Sequence, residues 1–150
     1  MGQQQLLLLV LGIVIVGLAV VVGIQAFSEN QKKANADALV NDAIRIASDA
    51  QAWMLKPTAF GGGNNSCATT CAWGGVAFAQ LGYPTNEDGD YENINGIFEL
   101  DSAAGTSVTI TATSTANENE VVVVVSGTES TDIVTTVNAA PAGGGEGGGS

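Results

Sequence analysis

From Leu6 to Ile24 the chain carries no polar or charged side chain, and no other feature restricts its fold so severely. Nineteen residues at about 1.5 Å rise make a helix of roughly 28 Å, close to the hydrocarbon thickness of a bilayer. The block is rich in Leu, Ile and Val, with Gly12, Gly17 and Gly23 interspersed. Glycine lets neighbouring helices approach closely in lipid or in a packed helical core. A cleaved secretory signal, cut after Ala26, is one reading, but such signals carry a basic leading region and a shorter apolar core, and neither is present. An ordinary membrane anchor fits the length equally well.

A third reading comes from the residues downstream of the apolar block. No Pro interrupts the chain between Met1 and Lys56, and after Gly23 no Gly occurs until Gly61. Beyond Phe27, small and apolar residues recur at Ala36, Leu39/Val40, Ala43, Ile46/Ala47, Ala50 and Trp53/Met54. That alternation of threes and fours marks one buried face of a helix. Asn35, Asp37, Asp42, Arg45 and Asp49 fill the other positions. One helix from about Gln3 to Leu55 is therefore expected, on the order of 75–80 Å long. It is hydrophobic all round over 1–27 and amphipathic over 28–56. Lys56-Pro57 stops it, because Pro disfavours a helical residue before it. On this reading the apolar half is first held in lipid and later packed among copies of itself.

Charge and composition narrow the rest. Four Lys and Arg stand against fifteen Asp and Glu. Nucleic-acid binding needs a basic surface, so no nucleic-acid partner is expected. The balance suits a solvent-facing surface whose copies repel one another. Histidine is absent, which removes the commonest general base and metal ligand. With no paired carboxylates in an apolar setting and no nucleophile motif, the list of catalytic candidates is empty and no cofactor is expected. Cys67 and Cys71 are the only cysteines, too few for a zinc site without histidine. A local disulfide formed in an oxidising compartment is the simplest reading, with two free thiols as the alternative.

Beyond Pro57 the composition turns to Gly, Thr, Ser, Val and Asn. Gly74 to Leu81 reads as a short helical or extended apolar segment. Strands are predicted at Ile94–Leu100, Thr106–Thr113, Glu120–Ser126 and Asp132–Asn138, separated by turn signals at 103–105, 117–119 and 127–128. Val108, Ile110 and Ala112 alternate with threonines, as in a half-buried antiparallel strand. Val121 to Val125 is continuous and expected to be central. The fold class is α+β: a long N-terminal helix, about 3–55, packed against a small antiparallel sheet of about four strands. Residues 57–141 form this β-rich head, and 142–150 are a Gly-rich tail read as flexible.

Several motifs invite a ligand. Asn86, Asp88, Asp90 and Glu92 place oxygens at alternate positions around Gly89, like the opening of a calcium loop. The glycine position and the distal Glu do not match an EF-hand, so a solvated turn is preferred and no metal is expected. Asn64-Asn65-Ser66 is a glycosylation sequon in a surface loop, with Asn64 as the candidate acceptor. Gly61-Gly62-Gly63 lacks the Lys-Ser/Thr of a phosphate loop. The rings of Trp73, Phe78 and Phe98 are expected in the core.

Gly2 to Leu9 with the aliphatic run behind it, Phe27-Ser28-Glu29-Asn30, Ala38-Leu39-Val40-Asn41-Asp42, the Lys56-Pro57 stop and the glycines after Phe60 together resemble bacterial type IV pilin-like proteins over roughly the first 65 residues. The rest is similar in layout only. The resemblance implies the type IV pilin fold. It also implies cleavage by a prepilin peptidase between Gly2 and Gln3, N-terminal methylation, and residence in the inner membrane before assembly. A dedicated machinery would then assemble copies into an extracellular, cell-surface filament that serves in adhesion. Its core would be built from Leu6, Leu7, Leu8, Leu9, Val10, Leu11, Ile13, Val14, Ile15, Val16, Leu18, Val20, Val21, Val22 and Ile24.

The sequence departs from that family's pattern in two places. The glutamate usual at the fifth mature position is replaced by Leu7 counted from Gln3, or by Gln5 counted from Met1. The charge pairing that glutamate serves in the family is therefore expected to be absent, or replaced by hydrogen bonds from the amides of Gln3, Gln4 and Gln5, an amide being easier to bury than a carboxylate. Only Met1 precedes Gly2, so the chain is expected to be trimmed at its start. The expected function is thus a structural subunit of a helical homopolymer. A type II secretion pseudopilin, or a membrane-anchored surface or periplasmic binding module, are the alternatives.

Overall fold

The structure, a computed structural model, describes residues 2–65, 67, 71–103 and 105–138. Its first element is α1, Gly2–Leu55, one α-helix. The chain divides into two compact units, residues 1–34 and 35–150. In the first, every described residue but Lys32 is exposed. The second contains the remainder of α1 and everything after it.

After Leu55 the helix ends as the Lys56-Pro57 step requires. Pro57 has no N–H to continue the ladder, and a single 3-10 turn follows at Thr58–Phe60, closed by Gly61 in the left-handed region at φ 76°. A short helix α2, Phe78–Leu81, comes next. The remaining strands are β1 Tyr91–Glu92, β2 Ile97–Asp101, β3 Val108–Thr113, β4 Glu120–Val125 and β5 Ile133–Asn138. They form one antiparallel sheet in the order β1-β2-β3-β4-β5. Each connection is a turn between adjacent antiparallel strands, so the sheet is a meander.

The register explains the sequence pattern. Phe98, Ala112, Val121 and Val137 stand opposite one another across β2 to β5, as do Leu100, Ile110, Val123 and Thr135. These rows and the row Val108–Val125–Ile133 share one face. The threonines of β3 lie on the other. Leu39, Ala43, Ile46, Ala47, Ala50, Trp53 and Met54 of α1 join that inner face, with Trp73, Val76 and Phe78, in a single core. Four alanines in the helix's buried stripe, Ala36, Ala43, Ala47 and Ala50, let the helix axis come close to the sheet. Gly96 is packed between sheet and helix: a Cβ there would stand 2.3 Å from the Thr113 carbonyl oxygen and 2.8 Å from Leu39 Cδ2.

The α+β class holds, with five strands where four were expected. The extra strand is β1, a two-residue pairing too short to leave a periodic signal. The segment expected to open a strand at Ile94 is instead a turn. Asn93 Oδ1 accepts from the Asn95 and Gly96 N–H groups at 2.8 and 3.2 Å. Ile94 is thrown into solvent at 97% exposure, and β2 begins only at Ile97. Asparagine side chains compete for backbone donors in this way. Ser130–Asp132 likewise forms a 3-10 turn rather than the start of β5. The valine-rich β4 is paired on both sides but sits one strand from the edge. Val122 and Val124 on its outer face are half-buried.

Candidate functional site

Two surfaces of the molecule invite a function. One is the helix over 6–24. All fifteen of its large apolar side chains are more than half exposed, from 52% at Val14 to 70% at Leu7. Gly12, Gly17 and Gly23 open onto free space. A helix satisfies its own backbone donors and acceptors, so such a segment is stable in hydrocarbon. By length and composition it is long and apolar enough to cross a membrane. Gly2 and Gln3 lie in its first turn, both exposed, and Gln3 lies beside Leu6, Leu7 and Val10. Met1 is outside the described residues.

The other surface is on the 35–150 unit, where the polar positions of α1 hold the loops in place. Asp42 accepts from Asn93 Nδ2 at 2.9 Å and Asn95 Nδ2 at 2.8 Å. Asn35 Nδ2 donates to the Asn95 carbonyl at 3.0 Å. On another flank, Gln51 Nε2 donates to the carbonyls of Gly127 and Glu129 at 2.9 and 2.8 Å. Asp49 accepts from the Tyr83 hydroxyl at 2.5 Å. These side chains look merely hydrophilic in the sequence; here they fix the turns on either side of the helix.

Arg45, Asp49 and Ala52 form one stripe of α1, and Lys56, just past its end, continues the spacing of four, three and four. The stripe forms one wall of an open groove of about 790 Å³. The facing wall is Gln80–Pro84 with Tyr91. Burial pushes the Tyr83 phenol up to about 12, helped by its hydrogen bond to Asp49 and that carboxylate's charge, with Arg45 opposing. Tyr83 and Tyr91 have ring centroids 4.9 Å apart, and Tyr91 lies 5.6 Å from Phe98. The groove therefore has a rigid aromatic wall on a buried base.

The remaining predicted positions fall elsewhere. Cys67 and Cys71 are disulfide-bonded. Asn64 is exposed in the left-handed region at φ 60°, its N–H donating to the Lys56 carbonyl at 2.8 Å. Ser66 of its sequon lies outside the described residues. Asn86 Oδ1 accepts from the N–H groups of Asp88 and Asp90 at 3.0 and 2.9 Å, which makes 86–90 a side-chain-closed turn. Glu92 lies on β1. Among the described residues no group of three or more His, Cys, Asp or Glu is placed to hold a metal ion. Trp73, Phe78 and Phe98 are fully buried. Residues 142–150 of the tail are outside the described residues. Comparison with protein families, curated proteins and solved structures returns no match.

Proposed function

We propose that this chain is a structural subunit that polymerises through its apolar helix into an extracellular filament of the type IV pilus kind. The role is one of assembly rather than catalysis. The observation that supports it is the helix surface over 6–24, without one polar side chain and with its large apolar side chains exposed. Burying fifteen large apolar side chains at about 1.5–3 kcal/mol each amounts to tens of kcal/mol before entropy costs. Lipid supplies that burial before assembly and neighbouring copies supply it afterwards. Gly2 and Gln3 flank the cleavage point on this reading, with inner-membrane residence and an energy-driven assembly machinery as its requirements.

A membrane-anchored surface module is the second reading, and one observation favours it. The stripe from Ala36 to Met54 is covered by the head of the same chain, as a lone anchored domain requires. Against it, Phe27 and Leu55 on the same helix stay 73% and 55% exposed, outside that stripe. Electron microscopy of material sheared from cells, with mass spectrometry of its N-terminus, separates the two. Leu8→Asp or Val16→Asp is expected to abolish fibres while the head stays folded. Normal fibres from these variants would refute assembly through the helix.

A further inference from the structure

The head is strongly anionic, and its positive charge is confined to one place. Fourteen of the fifteen Asp and Glu residues fall within 35–150, but only two of the four cations do, Arg45 and Lys56. Both are exposed, and both line the groove beside Tyr83 and Tyr91. Copies of so acidic a head repel one another wherever carboxylate meets carboxylate, and like-charge juxtaposition across an interface is strongly disfavoured. Where heads are brought side by side, this groove is the surface on which a carboxylate of the next head finds opposite charge.

An open helical polymer needs a heterologous contact, in which two different patches meet, since a self-complementary patch closes into a dimer. The groove lies on the β1 flank of the head, lined by Tyr91 of that strand. Its complement must lie elsewhere. On the opposite flank of the sheet the β4–β5 turn presents Glu129, exposed, with its backbone carbonyl held by Gln51 at 2.8 Å. That hydrogen bond fixes the backbone from which the carboxylate projects.

Resting on the filament reading, we infer that the Arg45–Lys56 groove of one subunit receives the Glu129 carboxylate of the next, so that heads join flank to flank by charge while the helices join by apolar packing. The occupant is a second copy of this chain. A guanidinium suits this task because its donors match a carboxylate in paired fashion, and the aromatic wall keeps water from one side of the contact.

The test is a charge-swap cycle on filaments sheared from cells that make the full-length chain. Arg45→Glu and Glu129→Arg are each expected to lower filament yield at least about tenfold. The two together are expected to restore it to within about threefold of the parent, because the pair is re-formed with its signs exchanged. Arg45→Gln, which removes charge without adding repulsion, is expected to give an intermediate yield and filaments that respond less to 1 M salt, where screening acts within about 3 Å. Protease resistance of the membrane-held chain reports folding for each variant. Single variants as productive as the parent, or a swap no better than the singles, would overturn the inference. Leu8→Asp keeps the two levels apart. If it abolishes fibres and Arg45→Glu leaves the yield at the parent's level, only the flank contact is wrong; if the parent chain makes no fibres, both fall.

Discussion

Gly96→Ala tests the packing of the Asn93–Gly96 turn between β3 and Leu39 of the helix. The new methyl carbon would stand 2.3 Å from the Thr113 carbonyl oxygen, where ordinary contact begins at 3.4 Å, and 2.8 Å from Leu39 Cδ2. Backbone on one side and a fully buried leucine on the other leave no flexible atom to yield. The Asn93–Gly96 turn must move by about 1 Å, or the Leu39–Phe98–Ala112 layer must open. Overpacking on that scale costs about 3 kcal/mol. With a urea slope of about 1.5 kcal/mol/M, the unfolding midpoint of the head falls by about 2 M. The assay is Trp53 and Trp73 fluorescence of the full-length chain in detergent micelles. Gly105→Ala serves as the contrast. Its Cβ meets nothing, but its backbone sits at φ 71°, so it loses only about 1 kcal/mol. A shift below about 0.3 M for Gly96→Ala would show that Thr113 and Leu39 do not close on Gly96 as described.

Three further outcomes rest on the same contacts. Tyr83 ionises near 10 when unfolded and is pushed up to about 12 when folded, so its contribution is complete below pH 10 and lost between pH 10 and 12. Tyr83→Phe is therefore expected to flatten the alkaline limb of the stability profile. It also lowers stability at neutral pH by about 1 kcal/mol, discounted for solvent reaching the groove; an unchanged alkaline limb would refute the Asp49 pairing. Cys67→Ser with Cys71→Ser opens a ring spanning five residues and is expected to cost about 2 kcal/mol of chain entropy, less than Gly96→Ala, read by the same denaturation. In the filament assay, Leu8→Asp is expected to remove fibres by placing a charge in an apolar bundle, and Arg45→Glu to lower their yield through a separate contact that Glu129→Arg repairs.

The helix was legible because its signals agree along its whole length. No Pro occurs before residue 57, the apolar run has no breaks, and the 36–54 stripe keeps helical period. Strands β3 and β4 were legible for the same reason, their alternation and valine run matching the pleat. What was hidden depended on contacts distant in the chain. β1 exists because Tyr91 pairs with Phe98, and no periodicity can appear in two residues. Asn93 turns the chain where Ile94 suggested a strand, a choice decided by two hydrogen bonds rather than by hydrophobicity. The groove was readable only in part. Arg45, Asp49 and Lys56 carry helical spacing, but their partners Tyr83 and Tyr91 lie well downstream in the chain.

Strand β5 gives the sheet two unequal margins. At one, Tyr83, Tyr91 and Phe98 wedge the chain against the core. At the other, Val134 and Val137 stay 58% and 47% exposed, and β5 is held by its ladder to β4, by Asn138 Nδ2 donating to Glu120 at 3.2 Å and by the Gln51 clamp on its turn. Mechanical load or thermal fraying would then unzip the head from a single side, and amide exchange along Ile133–Asn138 would run ahead of every other strand.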